Sequence, residues 1–260
     1  MHWPELIIAA LVQGVTEFLP ISSSSHLAVL HALWGTTQPT LAFDVWLHLG
    51  TTLTIVVALR QTIRAWWTSQ RQRWLAVVIA MGPTVVIGWW LHALAEATTL
   101  HLQWMGSGLM ITGGWLALGN WSGRRWAARP SAQATDVTWQ QALLIGCAQG
   151  LAVMPGISRS GATIATALGL GVAPRTAVHF SLLLAIPTVA GAALVEFGLT
   201  PPQGGVGFSP LVWGTGLLVT FLVGLGAIQL LERVTTRYQL TPFAWYCGVV
   251  GMWLFLRGMA

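Results

Sequence analysis

The sequence predicts an all-α polytopic membrane protein, with six transmembrane helices and two re-entrant segments of broken helix arranged as an inverted repeat. Three observations predict this fold class. Hydrophobic residues make up 55% of the 260 residues and charged residues only 7%, with a mean hydropathy of +0.68. Six apolar stretches are long enough to cross a bilayer. Two further apolar stretches are interrupted by polar residues and proline, and these two match each other in sequence.

The charge and cysteine content exclude several function classes. All twelve basic residues are arginine, and with seven acidic residues they give a formal charge of +5. A nucleic-acid-binding protein needs a clustered basic face on a soluble fold, so no nucleic-acid partner is expected. Cys147 and Cys247 have neither metal-ligand spacing nor a disulfide framework. The partner that the composition indicates is the bilayer itself.

The predicted spans are apolar runs between polar or arginine-bearing segments. They comprise residues 42–59, 74–95, 102–119, 177–199, 211–231 and 242–256. Segments 4–33 and 139–171 are also apolar, but each is broken in its middle by a polar cluster with proline. Two half-helices joined by a loop explain them better than one span, and such breaks are tolerated at membrane depth only where they line a cavity.

The distribution of arginine predicts the orientation of the chain. If each broken segment returns to its own side, ten of the twelve arginines share one face, which the positive-inside rule makes cytoplasmic. These ten are Arg60, Arg64, Arg71, Arg73, Arg124, Arg125, Arg129, Arg175, Arg233 and Arg237. Both termini then face outward. The first broken segment dips in from the outside, and the second rises from the cytoplasm.

An internal repeat relates the two broken segments at an offset of 136 residues. The matched pairs are Trp3 with Trp139, Gln13 with Gln149, Gly14 with Gly150, Ile21 with Ile157, Ser22 with Ser158, and Ser24 with Ser160. Each half then holds one broken segment and three spans, and the odd number of spans inverts the second half. We therefore expect one membrane domain over 1–260, with halves of about 1–122 and 137–258 joined by a cytoplasmic loop.

The first broken segment carries the residue types of a polar site. Gln13 and Glu17 are four residues apart and share one helical face. Pro20 then interrupts the helix, and the serines of 22–25 supply N-cap residues for the half-helix that follows. His26 follows Ser22 by four residues and Ser23 by three, so an imidazole–hydroxyl contact is expected on one face.

The second broken segment reads PGISRSGAT over residues 155–163. Its proline and glycine break the helix, and Ser158 or Ser160 caps the continuation. Two half-helix N-termini would converge, each with unpaired backbone N–H groups and the positive end of a dipole. Arg159 lies between them, and its planar guanidinium suits phosphate oxygens. The pattern predicts an anion-binding site.

Simpler structural interpretations stand beside this one. Serine and threonine in membrane helices commonly bond the preceding turn, and Glu17 with Arg159 could form a structural ion pair. The cost of a charge at membrane depth favours the functional interpretation.

Other polar residues lie within or beside the apolar runs. Single histidines on apolar spans are expected to be packed or interfacial, and His31 is expected to reach the cavity mouth. The acids outside the motif include Asp44, which would face the cavity. The residues considered are His48, His92, His179, Asp44 and Glu196.

These two motifs, together with the length and the span layout, resemble the bacitracin-resistance type of undecaprenyl-diphosphatase. The resemblance implies removal of the terminal phosphate of undecaprenyl diphosphate in the bacterial cytoplasmic membrane, at a site open to the outer face. It also implies help from a divalent cation, Mg²⁺ or Ca²⁺, and the lipid carrier of cell-wall synthesis as the partner. Gln13 replaces a glutamate that is frequent in the family, and Ser24-Ser25 replaces a more usual threonine-glycine.

On this interpretation Glu17, Ser23, His26 and Arg159 are catalytic, and Glu17 holds the cation. The expected substrate-binding residues are Gln13, Ser22, Ser24, Ser158, Ser160 and Thr163. The nucleophile is either Ser23 activated by His26, or a water activated by His26 or Glu17. The rival function is a lipid-phosphate flippase that uses the same anion site, and a homodimer is one assembly that the sequence allows.

Overall fold

A computed structural model of the chain describes residues 3–35, 41–99, 101–128, 133–194 and 209–259. Within these ranges the chain is helical, apart from turns and one isolated β-bridge between Ala134 and Val172. The helices are α1 (Trp3–Thr16), α2 (Ser23–Leu33), α3 (Leu41–Ala58), α4 (Arg60–Thr68), α5 (Gln72–Thr98), α6 (Leu102–Ala127), α7 (Trp139–Leu151), α8 (Arg159–Gly169), α9 (Pro174–Leu194), α10 (Pro210–Thr236) and α11 (Thr241–Met259).

Both predicted helix breaks are present. The first separates α1 from α2 over residues 17–22, and the second separates α7 from α8 over residues 152–158. The second break turns at Gly156, whose φ of 87° lies in the left-handed region that glycine adopts without strain. A side chain at Gly156 would also collide with the backbone of Met105 on α6. Glycine therefore fixes both the turn and its close packing against α6.

Three helices of the described chain are long and apolar enough to cross a membrane, namely α5, α9 and α10. The pair α3 and α4 would supply a fourth span, bent by 65° where α4 begins at Arg60. Helices also cover the two remaining predicted spans, as α6 and α11. Residues 60–68, which follow the predicted span 42–59, form the helix α4, in which Trp66 is buried and packs edge-on against Trp74.

Helices α8 and α9 lie in the interior of the bundle. Residues 182–185 of α9 are fully buried, and eight of the eleven residues of α8 are buried. Around them, α1 packs on α10, α7 on α5, and α6 on both α8 and α11. Arg129 and Glu196, considered above, lie outside the described residues, as does the end of the predicted span 177–199.

The first break is held by contacts with the second broken segment and with α11. The Ser160 hydroxyl donates to the carbonyl of Leu19 at 3.3 Å, and the Cys247 thiol lies 3.5 Å from the carbonyl of Pro20. The packing therefore brings the polar residues of both broken segments, 142 positions apart at Glu17 and Arg159, into one site.

Candidate active site

The site is organised around the carboxylate of Glu17, which is 7% exposed. Its Oε1 accepts a 2.8 Å hydrogen bond from Nη2 of Arg159. Its Oε2 accepts from the Ser23 hydroxyl at 2.7 Å and from Nε2 of Gln13 at 3.1 Å. A buried charge requires this degree of compensation. The structure thus brings together Gln13, Glu17, Ser23 and Arg159 as the sequence predicted.

Arg159 is the first residue of α8, and the residues around it hold it in place. Ser158 caps the helix by accepting a 3.1 Å hydrogen bond from the amide of Gly161, as predicted. The second guanidinium nitrogen, Nη1, lies 3.5 Å from the carbonyl of Ser181 on α9. Thr163 bonds the Ser181 hydroxyl at 2.6 Å and the carbonyl of Arg159 at 2.8 Å. Thr163 therefore helps to fix the backbone of Arg159 relative to α9.

The serines of the first break form a network of their own. The Ser22 hydroxyl lies 3.3 Å from that of Ser24 and 3.2 Å from that of Ser25. Ser22 occupies the N-cap position of α2, but its side chain makes no cap hydrogen bond because its backbone is left-handed, with φ 65°. The prediction of a serine side-chain cap is therefore wrong for α2 at this residue. The corresponding pair in the second break, Ser158 and Ser160, has its hydroxyls 3.2 Å apart.

His26 does not make the predicted contact with Ser23. Its Nδ1 lies 2.7 Å from the carbonyl oxygen of Ser22, and its Nε2 lies 2.6 Å from the hydroxyl of Tyr246 on α11. The helical spacing of three residues permits the predicted contact, but the Ser22 carbonyl turns the ring toward α11 instead. The Ser23 hydroxyl instead donates to Glu17, so Glu17 and not His26 is the base nearest to that hydroxyl.

His48 is a residue that the sequence analysis missed. Its Nε2 lies 3.4 Å from Oε2 of Glu17, and its Nδ1 lies 2.8 Å from the carbonyl of Asp44. The Asp44 carboxylate in turn pairs with His31 at 3.2 Å. The signal in the sequence was the spacing of four between Asp44 and His48, which puts two polar residues on one face of α3. Tyr246 was also missed, and no local pattern marks it.

The fold and the site define a class: a helical membrane protein with a buried carboxylate, guanidinium and hydroxyl, gathered where two broken helices meet. Such an arrangement can bind a phosphate and activate a hydroxyl. Comparison with known proteins gives the particular family. The chain belongs to the bacitracin resistance protein BacA family, whose family model matches residues 6–253.

Individual relatives agree with this assignment over nearly the whole chain. The chain is 38% identical to a protein of Syntrophotalea carbinolica named undecaprenyl-diphosphatase, over 96% of this chain and 97% of the relative. It is 34% identical to a protein of the same name from Desulfatibacillum aliphaticivorans, again over 96% of this chain and 97% of the relative. A third relative of that name, from Korarchaeum cryptofilum, is 34% identical over 97% of this chain and 98% of its own length.

Proposed function

We propose that this protein is a membrane phosphatase that hydrolyses the terminal phosphate of undecaprenyl diphosphate, returning the lipid carrier to cell-wall synthesis and so conferring bacitracin resistance. The observation that carries the proposal is the Glu17 carboxylate held between the Ser23 hydroxyl and the Arg159 guanidinium. A flippase needs the anion site but no base beside a hydroxyl. The names of the relatives also favour hydrolysis over lipid flipping.

In the proposed first step Ser23 is the nucleophile. Its oxygen forms a bond to the terminal phosphorus, the bond from that phosphorus to the bridging oxygen breaks, and prenyl phosphate leaves. The Ser23 proton passes to Oε2 of Glu17 along the 2.7 Å hydrogen bond. Arg159 stabilises the charge that develops on the phosphoryl oxygens, while the N-termini of α2 and α8 add backbone N–H groups.

In the second step water cleaves the phosphoserine. The water oxygen bonds to phosphorus, the bond to the Ser23 oxygen breaks, and inorganic phosphate leaves. His26 accepts the proton of this water and then releases it to solvent, and Glu17 returns its proton to Ser23, so the protein regains its starting state. Direct attack by water on the substrate is the alternative, and it forms no phosphoserine.

The residues present fit a divalent cation that takes only a few of its ligands from the protein. Mg²⁺ and Ca²⁺ take oxygen ligands. Oε1 of Gln13 is buried without a hydrogen-bond partner in the described part of the chain, and its amide lies against Glu17. The described residues contain no group of three or more His, Cys, Asp or Glu side chains that could hold a metal. Gln13 and Glu17 would therefore hold the ion with phosphate oxygens and water, and the ion would supply neutralisation of diphosphate charge.

We also propose six spans, two re-entrant segments and inverted halves of about 1–122 and 137–258. Reciprocal contacts support the repeat. Thr84 of α5 donates to the carbonyl of Gly146 on α7 at 3.1 Å, and Thr220 of α10 donates to the carbonyl of Ala10 on α1 at 3.3 Å. The offset of 136 that relates the broken segments also relates Thr84 to Thr220 and Ala10 to Gly146. In each half, therefore, one helix packs against the broken segment of the other half.

The active site is proposed to open to the outer face of the bacterial cytoplasmic membrane. The arginine distribution supports this orientation, since it assigns α1 and α2 to a segment that dips from the outside. A homodimer also stays a prediction, to be read from the mass of the purified protein in detergent.

Phosphate release by the purified full-length protein tests the function. A long-chain prenyl diphosphate should yield inorganic phosphate and prenyl monophosphate in equal amounts. Prenyl monophosphate offered alone is the matched control and should release none. Binding of the diphosphate without any release would favour the flippase instead.

A further inference from the structure

The contact between His26 and Tyr246 joins two residues 220 positions apart, on α2 and α11. The histidine Nε2 and the phenol oxygen are 2.6 Å apart, and the rings are stacked, with their planes 10° apart and their centroids separated by 5.8 Å. Tyr246 is 40% exposed, so this pair forms an open edge of the site. Nothing in the two sequence motifs includes Tyr246.

The hydrogen bonds of the His26 ring determine where its protons lie. Nδ1 is 2.7 Å from the carbonyl oxygen of Ser22, and a carbonyl can only accept, so Nδ1 carries a proton. A second proton on Nε2 would make the ring a cation. A charge at membrane depth is costly, and neither hydrogen-bond partner of the ring is an acid that could offset it. The ring is therefore neutral, its lone pair is on Nε2, and the Tyr246 hydroxyl donates to it.

The backbone of Ser22 is adapted to this arrangement. Its φ of 65° and ψ of 93° lie outside the conformations that a serine adopts freely, and such a residue persists only when its surroundings hold it. Here the buried contact between the Ser22 and Ser25 hydroxyls at 3.2 Å contributes to holding it. The strained residue is the one whose carbonyl bonds Nδ1, which indicates that the ring orientation is maintained at a conformational cost.

We propose that Tyr246 is a further catalytic residue of the phosphatase: by donating to Nε2 it keeps the His26 ring neutral and protonated on Nδ1, and it relays a proton to that nitrogen. The inference rests on the proposed function, in which His26 accepts a proton from the water that cleaves the phosphoserine. Because the Tyr246 hydroxyl occupies the Nε2 lone pair, the water gives its proton to the phenol oxygen as the phenol proton moves to Nε2. The phenol thus returns to its starting state while His26 carries the proton.

Replacing Tyr246 with phenylalanine tests this role in the full-length enzyme. Tyr246→Phe keeps the stacked ring and removes only the donor, so kcat should fall about tenfold while KM stays within about twofold. In a His26→Gln background the same substitution should cause no further loss, because the two residues act as a unit. Tyr238→Phe is the matched control, since Tyr238 is the other tyrosine of the chain and bonds Gln133. Additive losses from Tyr246→Phe and His26→Gln would overturn the proposal.

Nitrogen NMR of histidine-labelled protein tests the proton positions directly, even if a variant folds poorly. The His26 signals, identified by their loss in His26→Gln, should show a protonated Nδ1 and an unprotonated Nε2 in the wild-type protein. The Nε2 signal should shift in Tyr246→Phe and stay unchanged in Tyr238→Phe. A protonated Nε2 overturns the inference even if the enzyme is active. Absence of phosphate release by the wild-type protein would instead overturn the proposed function.

Discussion

The Ser23 hydroxyl donates to Oε2 of Glu17 at 2.7 Å, so the proposed nucleophile and its proposed base come from opposite ends of one helix break. Residues 17–22, which separate α1 from α2, place the two side chains together. The turn that interrupts the helix therefore brings the proposed reacting pair together, and substitutions at its two ends should have distinct kinetic effects.

Removing the proposed nucleophile should abolish turnover. Ser23→Ala should lower kcat on the order of 10³-fold or more, with substrate binding largely intact, because no phosphoserine can form. Acid quenching during turnover should trap phosphoserine in the wild-type protein and none in the variant. Ser122→Ala, on α6 outside the site, is the control. Substantial hydrolysis by Ser23→Ala would make Ser23 a phosphate ligand and water the direct nucleophile.

The activity should depend on the planar guanidinium of Arg159. In Arg159→Lys the charge remains, but one ammonium cannot reproduce two directed contacts, to Glu17 and toward Ser181. We expect kcat/KM to fall at least about tenfold, which corresponds to about 1.4 kcal/mol. Arg233→Lys, at the end of α10, should leave kcat/KM unchanged. Near-normal turnover in either Arg159→Lys or Arg159→Ala would refute the assignment.

Substituting Glu17 with glutamine and Gln13 with glutamate should have different effects on activity. Glu17→Gln should lose most activity, since the base for Ser23 disappears. Gln13→Glu should stay active and respond to lower Mg²⁺ concentrations, because it replaces the amide that now donates to Glu17 at 3.1 Å with a second carboxylate, and a cation relieves the repulsion between the two. Activity measured against Mg²⁺ concentration distinguishes these outcomes. Gln140→Glu, on the exposed start of α7, should leave the Mg²⁺ dependence unchanged.

His48 should matter although it lies on an apolar helix. Because its Nε2 is 3.4 Å from Oε2 of Glu17, His48→Ala should lower kcat about three- to tenfold by loosening the carboxylate. His48→Gln, which retains a donor, should recover part of that loss. The control is His92→Ala, an exposed histidine paired with Glu96. Equal activity in wild type and His48→Ala would leave His48 as a packing residue.

Labelling of single cysteines should report the orientation. In a background of Cys147→Ala and Cys247→Ala, Thr68→Cys should react only with reagent that reaches the cytoplasm. The outer probe belongs at the end of α5, where Thr98 is buried but Thr99 is exposed. Thr99→Cys should therefore react with impermeant reagent from outside. The reverse pattern would contradict the proposed topology and the outward-facing site.

Much of the site was predictable because it depends on short spacings. Gln13 and Glu17 share a face at a spacing of four, and the residue types around Arg159 indicate a capped half-helix; the structure confirms both. The breaks follow from proline and glycine in otherwise apolar runs. These are local properties of the chain, and local properties can be read from sequence.

One error arises where distant segments meet, and others arise where the local sequence permits more than one arrangement. Tyr246 reaches His26 from 220 residues away, and no spacing within either motif indicates that α11 supplies it. The expected pairing of His26 with Ser23 was compatible with helical geometry, but the backbone of Ser22 and the position of Glu17 decided otherwise. Helix α4 was not predicted, because its arginines indicated only which face is cytoplasmic, whereas burial of Trp66 stabilises a helix there.

The separation of Glu17 from Arg159 has a consequence for biosynthesis. Their ion pair spans 142 residues, so at about 5–20 residues per second the ribosome needs roughly 7–28 s to deliver the arginine after the glutamate has emerged. During that interval the carboxylate has only Gln13, Ser23 and His48 of its final partners, all encoded before residue 49. The early part of the chain thus carries the means to accommodate its own acidic residue while the later part is still being translated.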